Sequence, residues 1–228
     1  MIRTIVITGG IGSGKSEVCR QLALRGYGNQ YDADHRVKAL YSLVPGLVPS
    51  IEESVGIRLT DQDGCFVPEL LAGKIFNDRE ALLKVESIVF PYLMEDFKAF
   101  CSGLEANSKD SQIVLFESAT ILEKSYFDNV FDSVILVSAP FQVRLERACR
   151  RDAAHKERIL SRMENQKIIN SLNDDESSRW GVPENIIQKV RRRISAVIDS
   201  DCSIEELGNR AENAVKIVLT KMLWMITY

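Results

Sequence analysis

Gly9-Gly10-Ile11-Gly12-Ser13-Gly14-Lys15-Ser16 follows directly on the β-branched run Ile2-Arg3-Thr4-Ile5-Val6-Ile7-Thr8. That run suits a strand buried on both faces, and the glycines that end it mark a turn. The octet fits G-x-x-x-x-G-K-[ST], the phosphate-binding loop. Glycines let such a loop curl until successive backbone N–H groups converge on phosphate oxygens, and the helix that starts there adds the positive end of its dipole. Lys15 would reach the β and γ phosphates, and the Ser16 hydroxyl would hold magnesium. A strand before and a helix after distinguish this loop from a glycine-rich surface turn. The reading predicts nucleotide triphosphate binding.

Outward from the loop, Val18, Cys19, Leu22 and Ala23 predict a helix from Lys15 to about Arg25, stopped by Gly26. Tyr27 to Asp32 reads as a second, weaker strand. From Ala33 to about Leu104 the pattern turns helical. Val37, Leu40, Tyr41 and Val44 form one apolar stripe and Leu82, Val85, Ile88 and Val89 another, with Pro91 expected to bend or restart the helix. Asp61-Gln62-Asp63-Gly64 is a turn signal. Further strands are predicted at Ile113 to Phe116, with Glu117 at the end, at Ser133 to Val137, and at Ser195 to Ile198. Helices are expected at Phe141 to Arg151 and at Ile204 to Thr220, with a polar, acidic loop at Asn173 to Arg179. Strands alternating with helices argue for an α/β fold with a mostly parallel sheet.

Composition bounds the function. The chain has 228 residues and a net charge of −3, ordinary for a globular domain and unlike a protein built around a nucleic-acid backbone. No apolar run reaches the ~20 residues needed to span a bilayer, and Met1 to Thr8 is too short for a secretory signal. Five scattered cysteines without a CxxC pair, and two histidines, His35 and His155, read as reduced thiols in a cytoplasmic protein without a zinc site.

An ATP-using phosphotransferase fits better than a GTPase. The chain has no Asn-Lys-x-Asp, and Asp61-x-x-Gly64 follows no apolar strand. Such an enzyme needs a carboxylate for the acceptor and cations for the moving phosphoryl. Asp32 and Asp34 stand two apart at the end of the second strand, where one could accept a hydroxyl proton and the other hold a magnesium-bound water. Both also suit a turn or helix cap. Glu117, at another strand end, is the parallel candidate for magnesium or substrate. Arg144, Arg147 and Arg151 fall on one helix face, beside Arg150, and could clamp phosphates as a lid or form a solvated basic face. Lys189 to Arg193 reads as surface.

Thr8 to Ser16, followed by Asp32-Ala33-Asp34, resembles the dephospho-coenzyme A kinase family. Ile75-Phe76, Glu86-Ser87-Ile88-Val89 with Pro91, Leu122-Glu123, Arg147 with Arg151-Asp152, and Asn165-Gln166 fall where the family has similar residues. The resemblance implies transfer of the ATP γ-phosphoryl to the ribose 3′-hydroxyl of dephospho-coenzyme A, the last step of coenzyme A synthesis. It implies a P-loop kinase-like three-layer fold with a five-stranded sheet. Residues 1–32 and 105–228 would form the core, with a helical lid at about 144–180, and residues 33–104 an inserted helical coenzyme A lobe.

By the same resemblance, Lys15, Asp34 and Arg147 would be catalytic. Gly10, Ile11, Gly12, Ser13, Gly14, Lys15, Ser16 and Glu17 would bind ATP with Arg147 and Arg151. Asp32, Asp34, Lys38 and Glu117 would serve the acceptor. Ser16 would hold Mg2+, with Asp32 acting through water. ATP and dephospho-coenzyme A would be the partners of a monomer or weak homo-oligomer, without nucleic acid or membrane. The family usually has His at Phe90, Arg near Glu69 and at Lys38, and Asn near Ser200-Asp201. Two alternatives stay open: a kinase for another small acceptor, and an inactive ATP-binding homologue.

Overall fold

The computed structural model describes residues 2–76, 78–107, 110–152, 156–173 and 177–226. In chain order it runs β1 (Ile2–Thr8), α1 (Lys15–Leu24), β2 (Asn29–Asp32), α2 (Ala33–Leu43), α3 (Leu47–Val55), α4 (Pro68–Phe76) and α5 (Arg79–Asn107). It continues through β3 (Gln112–Ser118), β4 (Ser133–Ser138), α6 (Phe141–Asp152), α7 (Lys156–Glu164) and α8 (Lys167–Asn173). The last elements are α9 (Glu184–Arg191), β5 (Ile194–Asp199) and α10 (Ile204–Ile226). Two compact units result, Met1–Tyr31 with Ser108–Tyr228, and Asp32–Asn107.

The first unit is built on a five-stranded sheet of order β2-β3-β1-β4-β5. β1 pairs in parallel with β3 (Ile5 opposite Leu115) and with β4 (Ile7 opposite Ile135), and β4 in parallel with β5. The central strand is flanked on both edges, and its consecutive Ile5, Val6 and Ile7 are all buried, so both faces are covered, which is why its sequence is a β-branched run rather than an alternation. Ile5 and Ile7 pack with Val18 and Leu22 of α1, and with Leu207, Ala211, Val215 and Val218 of α10. Those α10 positions recur at three- and four-residue steps, the stripe by which a helix covers a sheet. Each buried Ile, Leu or Val contributes about 1.5–3 kcal/mol. α1 ends as the sequence predicts: the Gly26 N–H donates to Ala23 O and the Tyr27 N–H to Leu22 O.

The second unit is helical. α5 buries Ala81, Val85, Val89, Leu93 and Phe97, one residue per turn. This stripe passes straight through Pro91, so the proline neither ends nor restarts the helix. Its missing hydrogen bond is outweighed by apolar burial on both sides. The Asp61 to Gly64 turn is present: Asp61 Oδ1 accepts from the Asp63 and Cys65 N–H groups, and Thr60 bridges to Phe66.

Among the described residues no helix is long and apolar enough to cross a membrane, and all five cysteines are free thiols. The acidic loop expected at 173–179 lies partly outside the described residues, at 174–176, as does His155.

Candidate active site

The loop from Gly9 to Lys15 leaves the carboxyl end of β1 and enters α1. The Ser13 N–H donates to Gly10 O and the Val18 N–H to Gly14 O, each at 3.0 Å. Two of its glycines are required by more than a phosphate. A Cβ on Gly10 would lie 1.9 Å from Arg144 Nη1, and one on Gly12 would lie 2.0 Å from the Arg144 carbonyl oxygen. α6 thus packs directly on the loop, and Gly12 also has φ +77. Lys15 is buried and its Nζ donates to Gly10 O at 3.3 Å. Thr8 Oγ1 and Ser13 Oγ are buried with no hydrogen-bond partner among the described residues. Buried hydroxyls without partners are costly.

Three side chains hold this loop in shape. Gln166 Oε1 accepts from the Ile11 N–H at 2.8 Å, while its Nε2 donates to Ala119 O. Arg144, only 1% exposed, donates to Asn170 Oδ1 at 2.7 Å and stacks its guanidinium on Phe141. Arg147 donates to Ser200, and Ser200 Oγ donates to Ser13 O at 2.6 Å. The arginines of α6 therefore do not share one solvated face. Arg144 lies in the interior, Arg147 is tied to the loop after β5, and Arg151 is exposed and paired with Asp152, which raises its pKa further.

Ser16 Oγ donates to Glu117 Oε1 at 2.6 Å, and Glu117 Oε2 accepts from Gln30 Nε2 at 2.7 Å. A hydroxyl beside a buried carboxylate is a hard-oxygen donor set, the kind magnesium takes together with nucleotide phosphates. Among the described residues no cluster of three or more acidic, His or Cys side chains could hold a metal unaided. Glu117 lies within β3, and its neighbour Phe116 stacks on Tyr31 at 5.3 Å.

The two aspartates occupy different local structures. Asp32 is the last residue of β2 and caps α2, its Oδ1 accepting from the His35 N–H at 2.9 Å. Asp34 is already in the first turn of α2. The two-residue alternation of a strand does not govern them, because the helix starts between them. Glu17 is bound by Arg20 and Gln21, and the Arg20 hydrogen bond holds its carboxyl below the usual range. Lys38 lines a cavity of ≈990 Å³ inside the helical unit, beside Tyr41 and Phe66, whose rings stack at 4.5 Å. Glu69 is exposed in the first turn of α4. Lys189 and Arg193 reach Asp128, so the basic run at the end of α9 is surface only in part.

Sequence reasoning missed the holding role of Arg144, Gln166 and Ser200. Gln166 carried only its place in the family pattern, and the other two act through contacts distant in sequence.

The dephospho-CoA kinase family model matches residues 3–174. A dephospho-CoA kinase from Porphyromonas gingivalis is 38% identical over 169 residues, 74% of this chain and 80% of that protein. One from Fusobacterium nucleatum is 28% identical over 211 residues, 92% of this chain and 96% of the relative. Among solved structures, the TT1252 protein of Thermus thermophilus aligns with a TM-score of 0.65 at 26% identity, covering 96% of this chain and 97% of its own. A dephospho-CoA kinase from Campylobacter jejuni shares the fold at TM-score 0.51 and 16% identity, over 95% and 97% of the two chains.

Proposed function

The chain belongs to the dephospho-coenzyme A kinase family, and we propose on that premise how its residues divide the work. The enzyme phosphorylates dephospho-coenzyme A with ATP, at the ribose 3′-hydroxyl, in the final step of coenzyme A synthesis. The loop from Gly10 to Glu17 receives the β and γ phosphates on backbone N–H groups. Lys15 neutralises charge on the transferred group. Ser16 and Glu117 would hold magnesium, which would supply charge neutralisation to the phosphates. Asp34, two residues beyond the end of β2, accepts the proton of the attacking hydroxyl. The new bond joins that oxygen to the γ phosphorus, the bond to the β–γ bridging oxygen breaks, and ADP leaves. Arg147 and Arg151 serve ATP from α6, the start of the lid.

In the helical unit, we assign the ≈990 Å³ cavity with Lys38 at its lining to the elongated arm of the acceptor. Its size is in the range of small-molecule sites. Asp32 positions α2, and through it Asp34. The net charge of −3 supports small-molecule partners, and the free thiols support a cytoplasmic setting.

The observation that carries this division is the loop between β1 and α1, with Lys15 folded over it and Ser16 bonded to Glu117, held in shape by Gln166, Arg144 and Arg147. The test is ADP release with ATP, magnesium and dephospho-coenzyme A, beside Asp34→Asn and a control without acceptor. ADP should form only with the acceptor and fall sharply in the variant. Full activity in Asp34→Asn would remove Asp34 from the proton transfer.

A further inference from the structure

Within the sheet unit, α8 and the residue before it meet the phosphate loop at three points. Gln166, immediately before α8, accepts from the Ile11 N–H at 2.8 Å. Ile169 is fully buried, and a Cβ on Gly10 would lie 3.1 Å from its Cγ2. Asn170 accepts at 2.7 Å from Arg144, the arginine that packs on Gly10 and Gly12. α8 has only seven residues, Lys167–Asn173, and an isolated helix of that length is not stable in water. What fastens α8 therefore decides where these three contacts fall.

The fastening comes from the connection after β3. Glu123 ends the 3₁₀ turn Ile121–Glu123, and its Oε1 accepts from the Ile169 N–H at 3.1 Å. That N–H belongs to the first turn of α8, where a donor has no carbonyl partner inside the helix. Gln166 Nε2 donates to Ala119 O at 3.2 Å in the same connection. Ile121 and Leu122 are buried, so the turn is itself seated in the core. Ile169 thus takes part twice: its N–H is held by Glu123 and its side chain rests against Gly10. A single residue separates Glu123 from the loop.

We infer that Glu123 is a positioning residue for the phosphoryl donor, holding α8 so that Gln166, Ile169 and Asn170 keep the phosphate loop in its binding shape. The inference rests on the reading that the loop binds ATP phosphates, and adds a residue that acts on that loop through a helix. Reach matters here more than charge. Glutamine keeps an acceptor oxygen at the same length for the Ile169 N–H, aspartate is one methylene too short, and leucine has no acceptor.

The experiment measures equilibrium ADP binding, the KM for ATP and for dephospho-coenzyme A, and a thermal melt for the wild type, Glu123→Leu, Glu123→Asp and Glu123→Gln. A buried N–H left without its acceptor corresponds to about 5- to 30-fold in an equilibrium constant. Glu123→Leu should weaken ADP and raise the KM for ATP by that factor, with the KM for dephospho-coenzyme A unchanged. Glu123→Asp should move the same way, and it carries the test if the leucine variant does not fold. Glu123→Gln should stay within about threefold of the wild type. The dissociation constant comes from the shape of the titration and not its amplitude, so a partly unfolded preparation does not mimic the effect. Melting temperatures that fall in the leucine and aspartate variants while ADP binds as in the wild type would overturn the inference and leave Glu123 a structural residue only. An equal rise in both KM values overturns it too. A wild type that does not bind ADP overturns the loop reading and this inference together.

Discussion

The Arg147 guanidinium is bound to Ser200 through both terminal nitrogens, Nη1 to Oγ and Nη2 to the carbonyl, each at 3.0 Å. Because Ser200 Oγ in turn donates to Ser13 O, an arginine on α6 fixes the phosphate loop through the turn after β5. The fork matters, since a lysine offers one point of attachment where arginine offers two. Ser200→Ala removes one bond to a charged donor and one to the loop, together about 1–3 kcal/mol. We expect the KM for ATP to rise about 5- to 10-fold, with the KM for dephospho-coenzyme A unchanged. Steady-state kinetics at varied ATP measures this. An unaltered KM for ATP would show that the relay does not shape the loop.

Glu117 receives both Ser16 and Gln30. Its substitution separates a magnesium role from a purely structural one. Glu117→Gln keeps the shape but loses the charge, and one of the two hydrogen bonds must reverse or break because an amide has a single acceptor oxygen. Supporting ligands of this kind are worth about 10- to 100-fold in metal affinity. The magnesium concentration for half-maximal activity should rise by that factor, and activity should recover at high magnesium. If kcat drops with no change in the magnesium dependence, Glu117 is only a structural partner of Ser16.

Asp32 and Asp34 should fail in different ways. Asp32 caps α2, so Asp32→Ala should cost about 0.5–2 kcal/mol of stability. Asp32→Asn, itself a good cap, should restore the melting temperature. Asp34→Asn should reduce kcat by about 10²- to 10⁴-fold, whatever its effect on the melting temperature. A thermal melt and an initial rate on each variant distinguish them, and equal kcat losses at both positions would contradict the assignment.

Much of the sheet unit was legible because each piece carried its own local signal. β1 declared itself by its β-branched run, the loop by its spacing, and α1 by an apolar stripe ending at Gly26. The helical unit was legible as helices, but Pro91 does not restart one. Local propensity counts the hydrogen bond that the proline removes, whereas the stripe from Ala81 to Phe97 is repaid by tertiary burial. The arginines of α6 were read as one face because helical spacing is periodic. Their fates diverged because Arg144 meets Gly10 and Gly12, a contact across 132 to 134 positions that no local pattern encodes. The pairing of Ser16 with Glu117 is of the same kind, set by the register of β1 against β3.

Gly12 and Gly26 have almost the same φ, +77 and +78, but different surroundings. A Cβ at Gly26 meets nothing within 4 Å, whereas at Gly12 it runs into backbone atoms of Arg144. Gly26→Ala therefore carries only the left-handed strain, about 1–2 kcal/mol, and should keep full kcat/KM. Gly12→Ala must also push α6 off the loop. We expect its ATP binding to be lost at any concentration where the wild type saturates, as read by calorimetric titration. Equal behaviour of the two variants would mean that α6 yields at Gly12.

Glu123 lies beneath the start of α8, accepting from the Ile169 N–H at 3.1 Å. Burial raises its carboxyl above the usual range, more than the Ile169 and Ile168 N–H groups lower it. A raised folded-state pKa means that the native protein holds the proton after the unfolded chain has released it. Stability from this group is thus complete below the ordinary glutamate range and declines as pH climbs through the raised folded value. Glu123→Gln, a permanent analogue of the neutral acid, lacks that decline. Melting temperatures of both proteins, followed from weakly acidic to neutral pH, should show the wild type losing ground to the variant as pH rises. A gap that moves the other way would mean that the two N–H groups outweigh burial and that Glu123 is held as the anion.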